Sequence, residues 1–287
     1  MTDYLSQWTL VAEIPHVFDI NILLAELDAR QISYRVNRVQ RCCELWVEHA
    51  EQIPKVLALL EAINSRQKKR GHQLSGLSFQ QQLQHMPVVV TLLLLSILGT
   101  AIMAWWFPLV HWFTFQDFIV VGNDPIFDTV SNAMKNGEYW RLVSPIFLHF
   151  GHFHLIFNAL LLWVLGQKIE FLSGSLNITV SVILIAVVSN LGQYMWSGPA
   201  LFGGMSGVVY GLLGYVWIRH KLSPNPILDI PKGLIGFMLF WLFLGMSGVM
   251  NVFMAGSIAN AAHASGLIAG MALGGWAGRS ELRSRQQ

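Results

Sequence analysis

The stretch "LFGGMSGVVYG", residues 201–211, decides how this chain is read. A serine stands among glycines at the head of an apolar segment, where a hydroxyl gains little. The 287 residues around it are 54% hydrophobic and 12% charged, with mean hydropathy +0.49. A soluble domain carries about 25% charged residues, so the composition is that of a membrane protein. The first basic residue after Ser206 is Arg219, 13 positions on, which a helix covers in about 20 Å. A hydrocarbon layer is about 30 Å thick, so a helix starting at Ser206 is too short to cross it. The preceding "SGPALFGGM" then has to descend into the membrane as loop, tolerable only where protein or a water-filled cavity surrounds it.

Working outward, apolar segments of spanning length occur at about 87–107, 147–168, 174–195, 202–219, 230–248 and 257–278, which predicts an all-α polytopic membrane protein. Six spans put both termini on one side. Arg66, Lys68, Lys69, Arg70, Lys168, Arg219, Lys221, Lys232, Arg279, Arg283 and Arg285 gather there, against Lys135 and Arg141 opposite, so both termini are expected in the cytoplasm. The long external loop 108–146 is rich in aromatics and is expected to lie partly in the bilayer interface. Before the spans, residues 1–66 alternate strand and helix patterns as a small β-α-β-β-α unit, expected to be a cytoplasmic α+β domain. Residues 67–86 are polar and aperiodic and are expected to be a linker. The membrane domain is expected over 87–278 and a cytoplasmic tail over 279–287. The first twenty residues hold no long apolar core resembling a cleaved signal. Cys42 and Cys43 are adjacent, a poor arrangement for a structural disulfide, and are expected to be reduced thiols. A formal charge of +2 gives no argument for nucleic acid.

Polar side chains within the spans are costly and therefore informative. They are His154 and Asn158, Ser206 and Tyr210, and Asn260 and His263, with Asn190 and Gln193 near an outer end; Glu170 is at an edge. Counted back from Arg219, Lys168 and Arg279, Ser206, His154 and His263 lie about 20, 21 and 24 Å above the cytoplasmic interface, nearly level. Gly203 and Gly204 permit an irregular turn, while Gly207 and Gly211 form a small-residue stripe matched by Gly266, Gly270 and Gly274. Such stripes let two helices approach closely, and His263 lies near that face. A histidine at hydrogen-bond distance makes a serine a nucleophile, so Ser206 and His263 are expected to form a dyad. His154 and Asn158 share a helix face, and with a backbone N–H at a helix N-terminus they supply what an oxyanion needs. Tyr210, one turn below Ser206, is a ring for the histidine to stack on. Asn260 reads as an interhelical hydrogen-bonding group. "HFGHFH" raises a metal as a rival, but positions 152 and 154 do not share a face and no acidic ligand is near.

These residues resemble the rhomboid family of intramembrane serine proteases, most closely its bacterial members, over about residues 85–280. "GGMSGVVYG" matches the family's G-x-S-G motif, "HFHLIFNALLLW" its H-x-x-x-N helix, "ANAAHASGLIAG" its catalytic-histidine helix, and "EYWRL" the W-R pair of its first loop. The resemblance implies a six-helix rhomboid bundle with Ser206 as nucleophile and His263 as general base and acid. It implies an oxyanion hole of His154, Asn158 and the Ser206 N–H, with Tyr210 stacked on the histidine. Phe157 and Trp241 match the place where substrate would enter laterally, and "GMSGVMNVFMAGS" a mobile cap. The implied partners are transmembrane protein substrates and membrane lipid, with no metal and no cofactor, in a bacterial inner membrane. The alternative is a catalytically silent rhomboid-like module that binds membrane segments. A transporter would want charges along a pathway, and the spans carry none.

Overall fold

The computed structural model describes residues 8–15, 18, 20–39, 42–76, 78–122, 124–248 and 259–284. Its N-terminal part holds strand β1 (Thr9–Pro15), helix α1 (Ile20–Ala29), strands β2 (Tyr34–Val39) and β3 (Cys42–Val47), and helix α2 (Ile53–Gly76). The β-α-β-β-α order follows the sequence pattern. The sheet is antiparallel in the order β1-β3-β2, with Leu45 facing Ala12 and Val36. Alternation along the central strand sends Cys43, Leu45 and Val47 inward, where they meet Leu23, Leu27 and Val56. Cys42 points to the opposite face, so the two thiols diverge.

The stretch after residue 66 departs from the irregular linker expected. The α2 backbone stays helical to Gly76, and helix α3 (Phe79–His85) follows behind a capping box of Ser78 and Gln81. Arg, Gln and Lys are good helix formers without an apolar face, so a polar run has no periodicity to read yet still propagates a helix.

Beyond Pro87 the chain is mostly helical: α4 (Pro87–Trp105), α5 (Val130–Lys135), α6 (His152–Ser173), α7 (Ser175–Ser197), α8 (Ser206–Leu222), α9 (Lys232–Met246) and α10 (Asn260–Ser284). Among the described residues three helices, α4, α6 and α7, are long and apolar enough to cross a membrane by themselves. The shorter α9 is apolar as well. Segment α8 is the central post: its residues from Gly207 to Val216 are buried without interruption, enclosed by α6, α7 and α10. Both α6 and α8 start later than their apolar segments do, at His152 and Ser206, because the first residues of each are spent on irregular backbone.

Three polar ties fix this bundle. Glu170, 2% exposed on α6, accepts from the N–H groups of Val88 and Val89, both at 2.9 Å, and from Ser175 Oγ at 2.8 Å. A carboxylate thus satisfies the amides that the first turn of α4 cannot pair, where the helix dipole also favours it. Lys168 donates to the carbonyls of Ile227 and Asp229 at 2.8 and 2.9 Å, tying α6 to the connection that leads into α9. The connection between α4 and α6 carries a two-stranded sheet of β4 (Phe118–Val121) and β5 (Asp124–Phe127), and it wraps around Arg141. That fully buried guanidinium bonds the carboxylate of Glu138 at 2.5 Å and the carbonyls of His111 and Thr114. Asn190 of α7 donates to Leu142 O at 2.9 Å, docking the connection on the bundle. Glu170→Ala orphans two amides, the buried one of Val89 and the part-buried one of Val88, and is expected to cost about 2–4 kcal/mol, read as a lowered midpoint of thermal unfolding in detergent.

Candidate active site

Ser206 is the first residue of α8, and the backbone from Gly198 to Met205 before it is irregular. Two glycines let that loop pass through a crowded place. Gly204 has φ +116, donates its N–H to Pro145 O at 3.0 Å, and lies so close to His154 that a Cβ would come within 2.5 Å of the ring. Gly203 presses against the carbonyl of the same proline. The N–H of Met205 donates to His149 Nε2 at 3.3 Å, so that nitrogen is the acceptor. The neutral ring then carries its hydrogen on Nδ1 and donates to Phe147 O at 3.1 Å. His149 in turn meets His154 edge-on, with ring centroids 5.1 Å apart.

Below Ser206 the glycine stripes of α8 and α10 interlock. A Cβ at Gly266 would overlap the carbonyl oxygen of Gly207, and one at Gly270 that of Gly211. Only backbone separates these two helices there. The approach carries His263, one turn above Gly266, to Ser206: Nε2 and Oγ are 2.7 Å apart. The imidazole stacks on Tyr210 with centroids at 4.8 Å and planes inclined by 29°. Tyr210 is itself held by a 2.8 Å bond from its hydroxyl to Met238 O. His263 Nδ1 is buried and has no partner among the described residues. At the start of α10, Gln193 accepts from Ala262 N–H at 3.1 Å and Asn260 donates to Gly245 O at 2.7 Å, linking α10 to α7 and α9.

Four sequence-derived positions thus converge: Ser206, His263, Tyr210 and His154, the last through Gly204. Asn158 is buried on the same helix as His154 and donates Nδ2 to His154 O at 2.9 Å, which leaves its amide a second N–H. Phe157 and Trp241 are not joined by a ring contact. Both are exposed, and Trp241 stacks on Phe237 of its own helix. Most of the anticipated cap over the site, residues 249–257, lies outside the described residues. Sequence reasoning missed His149 as a support of the loop, taking it only as one of three rival metal ligands. Here it uses one ring nitrogen to accept from Met205 and the other to donate to Phe147, while His152 is exposed on the outside of α6.

The Rhomboid domain family matches residues 136–280, the stretch that contains this whole constellation. The chain is also 31% identical over 276 residues to "Rhomboid protease GlpG" of Yersinia enterocolitica, covering 90% of this chain and 92% of that protein. This chain belongs to the rhomboid family. It is 41% identical over 155 residues to the rhomboid protease GlpG of Yersinia pestis, an alignment that spans 54% of each chain. As a rhomboid it is an intramembrane serine protease.

Gly204 offers a direct probe of this rhomboid site. An alanine there adopts an unfavourable φ and collides with His154, so Gly204→Ala is expected to lower cleavage about tenfold or more. Gly233→Ala, where no neighbour lies within 4 Å, is expected to leave the rate unchanged. A cleavage assay on both purified variants checks the pair.

Proposed function

We propose that this rhomboid cleaves single-span membrane proteins through a Ser206–His263 dyad and an acyl-enzyme. The observation that carries the reading is the 2.7 Å contact between His263 Nε2 and Ser206 Oγ at the N-terminus of a buried helix. Nε2 takes the hydroxyl proton as Oγ attacks the scissile carbonyl carbon. The resulting oxyanion is received by the Ser206 N–H, by His154 and by the second N–H of Asn158. His263 then returns the proton to the leaving amine, and a water activated by the same imidazole hydrolyses the ester. Burial and the stacked Tyr210 hold the ring in place of a carboxylate.

In the proposed arrangement α4 and α6–α10 are six spans, with both termini cytoplasmic and the dyad some 6–10 Å below the external surface of a bacterial inner membrane. The short α8 supports this depth, because its 17 residues cover about 25 Å and the loop before it makes up the remainder. Substrate enters between α6 and α9, past Phe157 and Trp241. The weak burial of α9, whose buried residues are Met238 and Gly245, suits a helix that yields. A substrate helix has to unwind to present its backbone, so segments with small or helix-destabilising residues are the expected targets. Residues 1–66 form a separate cytoplasmic domain in this reading.

The test is cleavage of a reporter transmembrane substrate by purified protein. Ser206→Ala is expected to abolish product and His263→Ala to reduce it by about 10²–10⁴-fold. Undiminished product from both variants would end the dyad.

A further inference from the structure

Helix α9 turns most of its side chains outward: Phe240, Trp241 and Phe243 are 60%, 41% and 70% exposed, and Met238 and Gly245 are its buried residues. Both of these are held through their carbonyls by side chains that flank His263. At mid-helix Met238 O accepts from the Tyr210 hydroxyl at 2.8 Å, and the ring of that tyrosine is the floor on which the imidazole stacks, with centroids 4.8 Å apart. At the end of the helix Gly245 O accepts from Asn260 Nδ2 at 2.7 Å, and Asn260 lies one turn before His263 on α10. The fit there is close, since a Cβ on Gly245 would come within 2.3 Å of Asn260 Oδ1.

We infer that Tyr210 and Asn260 are positioning residues that make the alignment of His263 conditional on α9 being seated. A phenol pinned at its hydroxyl presents its ring in one orientation. Tyr210 is buried, so when Met238 O withdraws the hydroxyl has no bulk water to replace its acceptor and turns to find another, tilting the ring under the imidazole. Asn260 Oδ1 is buried and has no partner among the described residues, so the bond to Gly245 O is what fixes that amide. Its loss frees the first turn of α10, from which His263 has to hold Nε2 at 2.7 Å from Ser206 Oγ. Movement of α9 therefore disturbs the imidazole from two sides. Entry of substrate and attack by the serine become separate events: α9 leaves, the segment enters, α9 returns and restores both bonds, and only then is His263 in place. A segment slim enough for α9 to reseat over it is cut, and one that props α9 out is released. The inference rests on the proposed dyad and on entry past α9.

Tyr210→Phe keeps the ring and removes the tie to α9. Met238 O sits inside a helix and keeps its ladder position, so the substitution orphans no buried group. Hydrogen exchange of the full-length protein in detergent, followed by mass spectrometry, is expected to run about tenfold faster in α9 of this variant, with α7 unchanged. Labelling of Ser206 by a fluorophosphonate, which is small and needs no displacement of α9, is expected to slow about fivefold. Asn260→Ala is the independent second variant, with faster exchange in the last turn of α9 and slower labelling expected. A purely local role for the tyrosine and the asparagine predicts unchanged exchange in α9. That result, or faster exchange with labelling undiminished in both variants, would overturn the inference. Exchange is also measured in Ser206→Ala, so it stands apart from the chemistry. An unlabelled Ser206 in the wild type would end the dyad and leave exchange in α9 to decide whether the two side chains latch it.

Discussion

The contact on which the rest of this structure depends is the one without side chains, between the backbones of α8 and α10. Gly207 and Gly211 on one helix face Gly266 and Gly270 on the other so closely that no Cβ fits between them. In lipid, helices gain no hydrophobic drive from meeting, so association relies on close van der Waals contact of this kind. The consequence is chemical. Serine has a short side chain, and an imidazole on a neighbouring helix reaches it at 2.7 Å only when the helix axes come unusually near. Larger residues at these positions would move His263 away from Ser206 by more than a hydrogen bond tolerates.

A second constraint follows from beginning a helix inside the bundle. The loop 198–205 carries irregular backbone whose polar groups need partners away from bulk water. Pro145 O, His149 and the groove at Gly204 meet that need, which explains why the connection between α4 and α6 is itself so firmly organised around Arg141. That connection and α6 form one wall, α7 and α10 another. By contrast α9 is held at three points, through Lys168 at the preceding connection, the Tyr210 hydroxyl on Met238 O at mid-helix and Asn260 at Gly245, and much of its remaining surface is exposed.

Much of this was legible from residue types and spacing. That a helix from Ser206 is too short to span, so that loop must precede it, followed from counting to Arg219, the close approach from the glycine stripes, and the small N-terminal unit from alternating periodicities. What escaped were interactions between a side chain and distant backbone. His149 looked like one of three clustered histidines, and nothing local says that it accepts from Met205, 56 residues on. Glu170 appeared to be an edge charge because its partners are the amides of Val88 and Val89, some eighty residues earlier. The helical run to Gly76 was missed for the opposite reason, since propensity without an apolar face leaves no period. Phe157 and Trp241 were located by the resemblance alone, and their separate, exposed positions carry no geometric signal of a shared task.

The central claim is that proximity to His263 activates Ser206. It is tested most directly by the rate at which a fluorophosphonate probe modifies the protein in detergent, followed by peptide mapping. Modification confined to Ser206 in the wild type, and slowed by about a hundredfold or more in His263→Ala, is the predicted result. Modification of Ser206 at the same rate in both proteins, or of another residue instead, would contradict it.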